Sequence, residues 1–313
     1  LHDKGIIFLT FTGGEIFTRK DFIDIYLYAK KKGFLVELFT NASMITDEII
    51  NVLKEYPPLL VDVSLYGDDE STYYEITRIR GAYEKVVSNC KKMSEAGIRV
   101  SLKSPILTLT IEKINNMKKL AKEIGVPFVY SFEITPTIDK SNEPRNYQVD
   151  LKTCLKYEFQ NYYEQVVNGE RKLGEIDKRE IDELLKCEYV YACNVAQNSF
   201  VVDYMGNMLP CMKLRHKGKR MLENNFDDIW KDFEKYSKIK ATDGYKCREC
   251  KSRYFCDVCP AEMDLLYGDD QIRPTEVCLP AEIRRKFYSG ELTFEEALKE
   301  ASLDRKNKKE AIL

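Results

Sequence analysis

The sequence predicts an α/β fold over its first half, joined to a cysteine-rich module in its second. Two observations carry this. Over residues 1–140, short apolar, β-branched runs alternate with amphipathic helical patterns. Eight of the ten cysteines then fall between Cys187 and Cys278. A chain of 313 residues can bury one large core or two moderate ones.

The strand-like runs are "IIFLTFTG" (6–13), "FLVELFTN" (34–41), "LLVDVSLYG" (59–67), "IRVSLKSPI" (98–106) and "FVYSFEI" (128–134). Helical patterns occupy 19–32, 46–55, 82–96 and 111–124 between them. Strands bounded by Gly, Pro or Asn and separated by such helices imply right-handed βαβ units and a parallel sheet. Five of them fit a doubly wound sheet or part of a β/α barrel. "EAGIRV" and "EIGVPF" repeat one device, a helix ending at Gly with a strand following at once.

The character changes near Pro136. "TPTIDKSNEPRNYQVD" is polar and turn-rich, a linker or a substrate-facing loop. Helical patterns follow at 151–167 and 175–186, and "SFVVDYMGNMLPC" reads as a hairpin with Gly at its turn. The expected division is 1–140 for the α/β region, 141–186 for a helical linker, 187–285 for the cysteine module and 286–313 for a helical tail.

Hydrophobic residues make up 44% and charged residues 32%, ordinary for a soluble globular protein. A net charge of −2 gives no ground for a nucleic-acid or membrane partner. Lys30, Lys31 and Lys32 sit inside a helical pattern and read as a solvated face. There is no signal-peptide pattern and no apolar run near the ~20 residues a membrane span needs. The chain reads as cytoplasmic, where disulfides are rare and clustered cysteines bind metal or do redox chemistry. It opens on "LHDKGIIFLTFTGGE" without Met, so a preceding N-terminal piece is expected.

Cys247, Cys250, Cys256 and Cys259 crowd the stretch "YKCRECKSRYFCDVCP". Two CxxC pairs could hold zinc in a tetrahedral four-thiolate site. Only five residues separate Cys250 from Cys256, however, and Cys187, Cys193, Cys211 and Cys278 would need a separate explanation. Eight thiolates divide into two sets of four, as two cubane clusters require. Spacing leaves both metals open and favours iron–sulfur. Cys90 and Cys154 sit on helical patterns and read as ordinary buried thiols.

The pattern C-x12-G-x4-C (Cys193, Gly206, Cys211), C-x2-C-x5-C (Cys247, Cys250, Cys256), Cys259 and a distant Cys278 resembles the SPASM domain. That is the auxiliary-cluster module of radical S-adenosylmethionine enzymes that modify peptides. One departure is the C-x2-C from Cys256 to Cys259, where C-x3-C is the commoner interval. The resemblance implies one cluster on Cys187, Cys193, Cys211 and Cys259, and a second on Cys247, Cys250, Cys256 and Cys278. Cys187 precedes the core motif; if it is not a ligand, the first cluster keeps an open iron for a substrate thiolate.

"FTGGE" (11–15) closes the first visible strand. Paired glycines let a ligand approach the backbone, and the carboxylate can accept from an ammonium group. Beside the cysteine module it resembles the GGE motif that contacts the methionyl amino group of S-adenosylmethionine. By that likeness Gly13, Gly14, Glu15, Asn41 (in "FTNAS"), Ser64 (in "VSLYG"), Arg80 (or Arg78), Lys103 and Ser104 are candidate cofactor contacts. Tyr66 stands where the family commonly has Asp, which puts any role of that Asp in doubt here.

The resemblance implies a partial (β/α)6 TIM-like barrel whose first strand lies upstream, followed by a small α+β SPASM domain. Its C-x3-C-x2-C loop, holding the cluster that cleaves S-adenosylmethionine, occurs nowhere in these residues. That loop and a third [4Fe–4S] cluster are expected on the preceding piece, and the chain without them is expected to be inactive. The implied function is a radical peptide maturase. A 5′-deoxyadenosyl radical abstracts hydrogen from a ribosomally made peptide, with a thioether or other side-chain crosslink as product. Its implied partners are a peptide or protein substrate and an external electron donor such as flavodoxin or ferredoxin. The alternatives are an anaerobic sulfatase-maturing enzyme and a non-catalytic zinc or iron–sulfur protein. No residue stands out as a general acid or base. Glu133 and Asp139 could face substrate but read more simply as a solvated loop.

Overall fold

A computed structural model of the chain describes residues 1–137, 139–172, 174, 178–274 and 277–310. Of the expected elements, residue 138 of the polar loop, 175–177 of the second linker helix and 311–313 of the tail lie outside these. The chain divides into two compact units, Leu1–Val149 and Asp150–Leu313.

In the first unit, five strands form one parallel sheet: β1 (Phe8–Phe11), β2 (Leu35–Thr40), β3 (Leu60–Ser64), β4 (Val100–Pro105) and β5 (Phe128–Ser131). Their spatial order is their sequence order, and every neighbour pair is parallel. A doubly wound sheet reverses direction at a switch point, whereas a barrel wall advances strand by strand. The first unit is therefore a partial β/α barrel. The connecting helices are α1 (Phe22–Lys31), α2 (Asp47–Glu55), α3 (Glu70–Thr77), α4 (Ala82–Glu95) and α5 (Ile114–Ile124).

Alternation along the strands separates the two faces. Val36, Leu38, Val61, Val63, Val100 and Leu102 are buried together on the helix-facing side. In register with the intervening positions, Glu37, Phe39, Asp62, Ser64 and Lys103 line the opposite, inner face. Local signals fix the helix ends. Thr46 caps α2 by accepting from the Ile49 N–H, and Asp69 caps α3 through the Thr72 N–H at 2.7 Å. Gly125 stops α5 at φ +79°, and the same device recurs after α4 at Gly97. Helix α3 falls in "ESTYYEIT", which carries no clean 3.6-residue apolar period and was not foreseen.

The second unit holds α6 (Leu151–Val167), α7 (Lys178–Lys186) and a small antiparallel sheet of β6 (Val201–Val202), β7 (Asn207–Leu209) and β8 (Lys219–Arg220). Helices α8 (Phe226–Ser237), α9 (Pro260–Tyr267), α10 (Cys278–Tyr288) and α11 (Phe294–Glu310) follow. Gly206 lies in the expected hairpin, whose turn is tied by Asp203 accepting from the Met205 and Asn207 N–H groups. One core gathers Val190, Tyr191, Met208, Leu214, Ile229 and Phe233 beneath the cysteine segments. A second packs α6 against α10 and α11, with Phe159 stacked on Phe287 at 3.7 Å between ring centroids. Among the described residues no helix is long and apolar enough to cross a membrane.

Candidate cofactor and iron–sulfur sites

Strand β1 runs out into Gly13, Gly14 and Glu15. Gly13 takes φ +155°, a conformation L side chains rarely adopt, and a Cβ built on either glycine meets no atom within 4 Å. The two glycines form an open backbone shelf. The Glu15 carboxylate behind them accepts from the Phe17 N–H (3.1 Å) and the Thr40 hydroxyl (2.7 Å) through Oε1. Its Oε2 accepts from the Asn41 N–H at 2.7 Å. A carboxylate offers about four acceptor positions, so one remains for an incoming ammonium donor. Glu15 thus latches the end of β1 to the end of β2.

Asn41 is spent locally: its Oδ1 accepts from the Ser43 N–H at 2.9 Å. Its backbone, rather than its side chain, joins the Glu15 latch. The loop turns at Ala42, with φ 56°, and buried Asn89 on α4 donates to the Ala42 and Ile45 carbonyls at 2.8 and 3.1 Å. Sequence reasoning missed Thr40 and Asn89. The available signal was an amide on the buried face of α4, beside Val86, Cys90 and Met93.

On the inner face, Lys103 Nζ pairs with Asp62 at 3.0 Å and lies 4.5 Å from the Phe39 ring centroid. Thr10 donates to Glu37 on the same face at 3.3 Å. Ser64 is in register with Lys103 there, its carbonyl accepting from the Tyr73 hydroxyl at 3.2 Å. Ser104, one position on, is buried on the helix-facing side and donates to the Pro105 carbonyl at 3.4 Å. It does not share a face with Lys103. Arg80 is exposed in the α3–α4 turn over the Tyr74 ring at 5.2 Å, and Arg78 caps α3 in the left-handed region. Tyr66 packs edge-on against Tyr73 at 5.8 Å. Glu133 and Asp139 are both exposed, Asp139 accepting from the Thr137 hydroxyl.

In the second unit, Cys247 lies within a 3-10 turn that Cys250 closes, Cys256 ends the next one, Cys259 precedes α9 and Cys278 opens α10. The structure brings Cys247, Cys250, Cys256 and Cys278 into one neighbourhood: Cys247 feels the charge of Cys278 and Cys250, and Cys256 feels Cys247 and Cys278. Cys259 in turn feels Cys211. Cys193 is exposed, and the Cys187 thiol faces the Tyr189 carbonyl at 3.8 Å. Among the described residues no three His, Cys, Asp or Glu side chains converge as one metal ion would require.

Burial pushes the Cys247 and Cys259 thiols up from their ordinary value and Cys256 up to about 11. Thiolate ligands must lose their protons, so a metal centre here competes with that preference and its loading releases protons. An all-sulfur donor set with four thiols in one neighbourhood suits iron–sulfur ligation.

Two arginines brace these segments. Buried Arg253, between Cys250 and Cys256, donates to the Leu184, Cys187 and Tyr189 carbonyls at 3.3, 3.5 and 3.2 Å. Arg284 on α10 donates to the Phe255 carbonyl and pairs with Asp257 and Glu158 at 2.6 and 3.0 Å. Each ties segments far apart in sequence to the loops that carry the cysteines.

The chain matches the Radical SAM superfamily over residues 1–124 and the SPASM iron–sulfur cluster-binding domain over residues 193–252. It is 25% identical to the AdoMet-dependent heme synthase of Methanosarcina barkeri over 281 residues, 83% of this chain and 79% of that protein. The subtilosin biosynthesis protein AlbA of Bacillus subtilis is 23% identical over 214 residues, 67% of this chain and 45% of AlbA. Streptococcus suis SuiB, solved with S-adenosylmethionine and with the precursor peptide SuiA, shares the fold at a TM-score of 0.66 and 18% identity. That likeness covers 88% of this chain and 66% of SuiB. The glycine shelf lies in the first match, and Cys193, Cys211, Cys247 and Cys250 lie in the second. Residues 1–124 thus match the radical SAM superfamily and residues 193–252 an iron–sulfur-binding SPASM domain, which together imply an oxidoreductase-type enzyme that uses S-adenosylmethionine and [4Fe–4S] clusters.

Proposed function

We propose that the protein modifies a ribosomally made peptide by hydrogen abstraction, joining two of its side chains. The observation that carries this reading is the polarity of the inner sheet face. Thr10, Glu37, Asp62, Ser64 and Lys103 offer donors and acceptors suited to the amides and polar side chains of a peptide. AlbA and the SuiB–SuiA complex, both similar to this chain, agree with it.

When bound, S-adenosylmethionine and its reducing cluster supply a hydrogen-abstracting radical. The residues here position and shield it. Gly13 and Gly14 leave room for the methionyl end, and Glu15 keeps one acceptor position for its ammonium group. Ser64 and Lys103 stand on the inner face for the polar groups of cofactor or substrate. Cys187, Cys193, Cys211 and Cys259 would hold one auxiliary cluster, and Cys247, Cys250, Cys256 and Cys278 the other. An external electron donor completes the reading, because cleaving the cofactor consumes an electron.

The likeness to heme synthases favours a second reading, with a tetrapyrrole as substrate. One experiment separates the two. The native protein, reconstituted anaerobically, is given S-adenosylmethionine and dithionite with either cysteine-containing peptides or an iron porphyrin. Peptides that lose two hydrogens as 5′-deoxyadenosine accumulates bear out the maturase. Turnover of the porphyrin alone refutes it.

A further inference from the structure

The cations around the two cysteine groups are not equivalent. Beside Cys211 and Cys259, Lys213 is paired with Glu262 at 2.7 Å. Arg285, whose charge reaches Cys250, is paired with Glu291. Arg284 is held by Glu158 and Asp257. Each of these positive charges has a carboxylate against it.

Arg273 differs. Its Nε donates to the Sγ of Cys278 at 3.0 Å, and its charge also reaches Cys247 and Cys250. Among the described residues no carboxylate pairs with it. The guanidinium therefore gives an N–H donor to Cys278, and its charge acts on three of the four thiols in that group. An electron added to an iron–sulfur cluster raises the negative charge on its sulfurs. A cation and a hydrogen bond at a ligand sulfur stabilise that reduced state more than the oxidised one.

We propose that Arg273 is a positioning residue that raises the reduction potential of the cluster held by Cys247, Cys250, Cys256 and Cys278. The proposal rests on the iron–sulfur assignment of that group. In the step it governs, one electron from the reductant enters the cluster, and no bond to the protein forms or breaks. The group with this arginine at a ligand sulfur becomes the better electron acceptor of the two. The opposing pair of Lys213 and Glu262 gives Cys211 and Cys259 no such bias.

The test is a redox titration followed by electron paramagnetic resonance, on the native protein after anaerobic reconstitution, with iron and labile sulfide counted first. R273Q is expected to keep the wild-type iron load and shift one auxiliary signal to lower potential. About a tenfold loss in the reduction equilibrium corresponds to 59 mV for a one-electron couple. A full load at an unchanged potential overturns the proposal. If R273Q loses its cluster, the neutral, unbranched R273M decides: a full load below the wild-type potential supports the role, and a full load at that potential overturns it. Iron loss from both variants makes Arg273 a structural brace and overturns it too. Zinc without labile sulfide in the wild-type protein would instead fail the iron–sulfur assignment itself.

Discussion

Asn89 has no part in chemistry, yet it holds the loop that carries Asn41. Its amide satisfies two carbonyls inside the protein, at Ala42 and Ile45. Removing the donor leaves buried acceptors without a partner, which costs about 1–3 kcal/mol. N89A should lower unfolding stability by that amount in urea titration. It should also weaken S-adenosylmethionine binding, because the Glu15 latch closes on the same loop. The glycines and Glu15 were legible because they are contiguous. Thr40 and Asn89 were not, since their bonds span 25 residues or more and no local pattern encodes such a pairing. Cys90 and Cys154 were legible as buried thiols from helical position alone, and burial pushes both from 9.0 up to about 12. In that interval the unfolded chain gives up thiol protons that the folded chain keeps. Stability held below about pH 9 is therefore lost as pH rises toward 12, by at most about 1.4 kcal/mol per pH unit and thiol. Paired urea titrations at pH 8 and 10 should show a smaller loss for C90A/C154A than for wild type.

Arg253 works at the level of elements. It lies in the turn between Cys250 and Cys256 and fills three carbonyls around the end of α7, among them that of Cys187. A neutral replacement strands all three, and hydrogen bonds from a charged group contribute about 1.5–3 kcal/mol each where buried. R253M should lose iron from the group that includes Cys187 before the other, read as a fall in iron and labile sulfide per chain. If R253M keeps its full iron load and unfolds as wild type does, the brace is not needed. Strands β1 to β5 could be read directly because each is a short run rich in branched apolar and aromatic residues, bounded by turn residues and set between helical patterns. Helix α8 could not: "FDDIWKDFEKYS" follows cysteine-punctuated text, and its apolar residues Ile229 and Phe233 mark one face only once the helix is drawn. Helix α6 was legible as a helix, but its partners α10 and α11 lie more than a hundred residues on. Packing between such distant segments depends on shape, which one-dimensional periodicity does not carry.

Across the whole molecule, the two units differ in what holds them. The sheet of the first unit buries branched side chains on its helix-facing side and needs no metal to do so. The second unit has a three-stranded sheet of two- and three-residue strands, 3-10 turns around its cysteines, and cores built from scattered segments. Short elements of this kind gain much of their stability from ligand bonds, because the unfolded chain has no preformed site to offer the metal. Iron removal should therefore act unequally. After anaerobic reconstitution the chain should carry about eight irons and eight sulfides in its auxiliary clusters. Chelation under oxidising conditions should then abolish amide-exchange protection between residues 187 and 285. Residues 1–149 should keep theirs, measured on peptides from the same digest. Equal loss of protection in both units would mean that the cysteine segments are not where the metal contributes stability. Full protection of 187–285 without iron would mean that Tyr191, Met208, Ile229 and Phe233 suffice to hold the second unit, leaving the thiols a chemical role only.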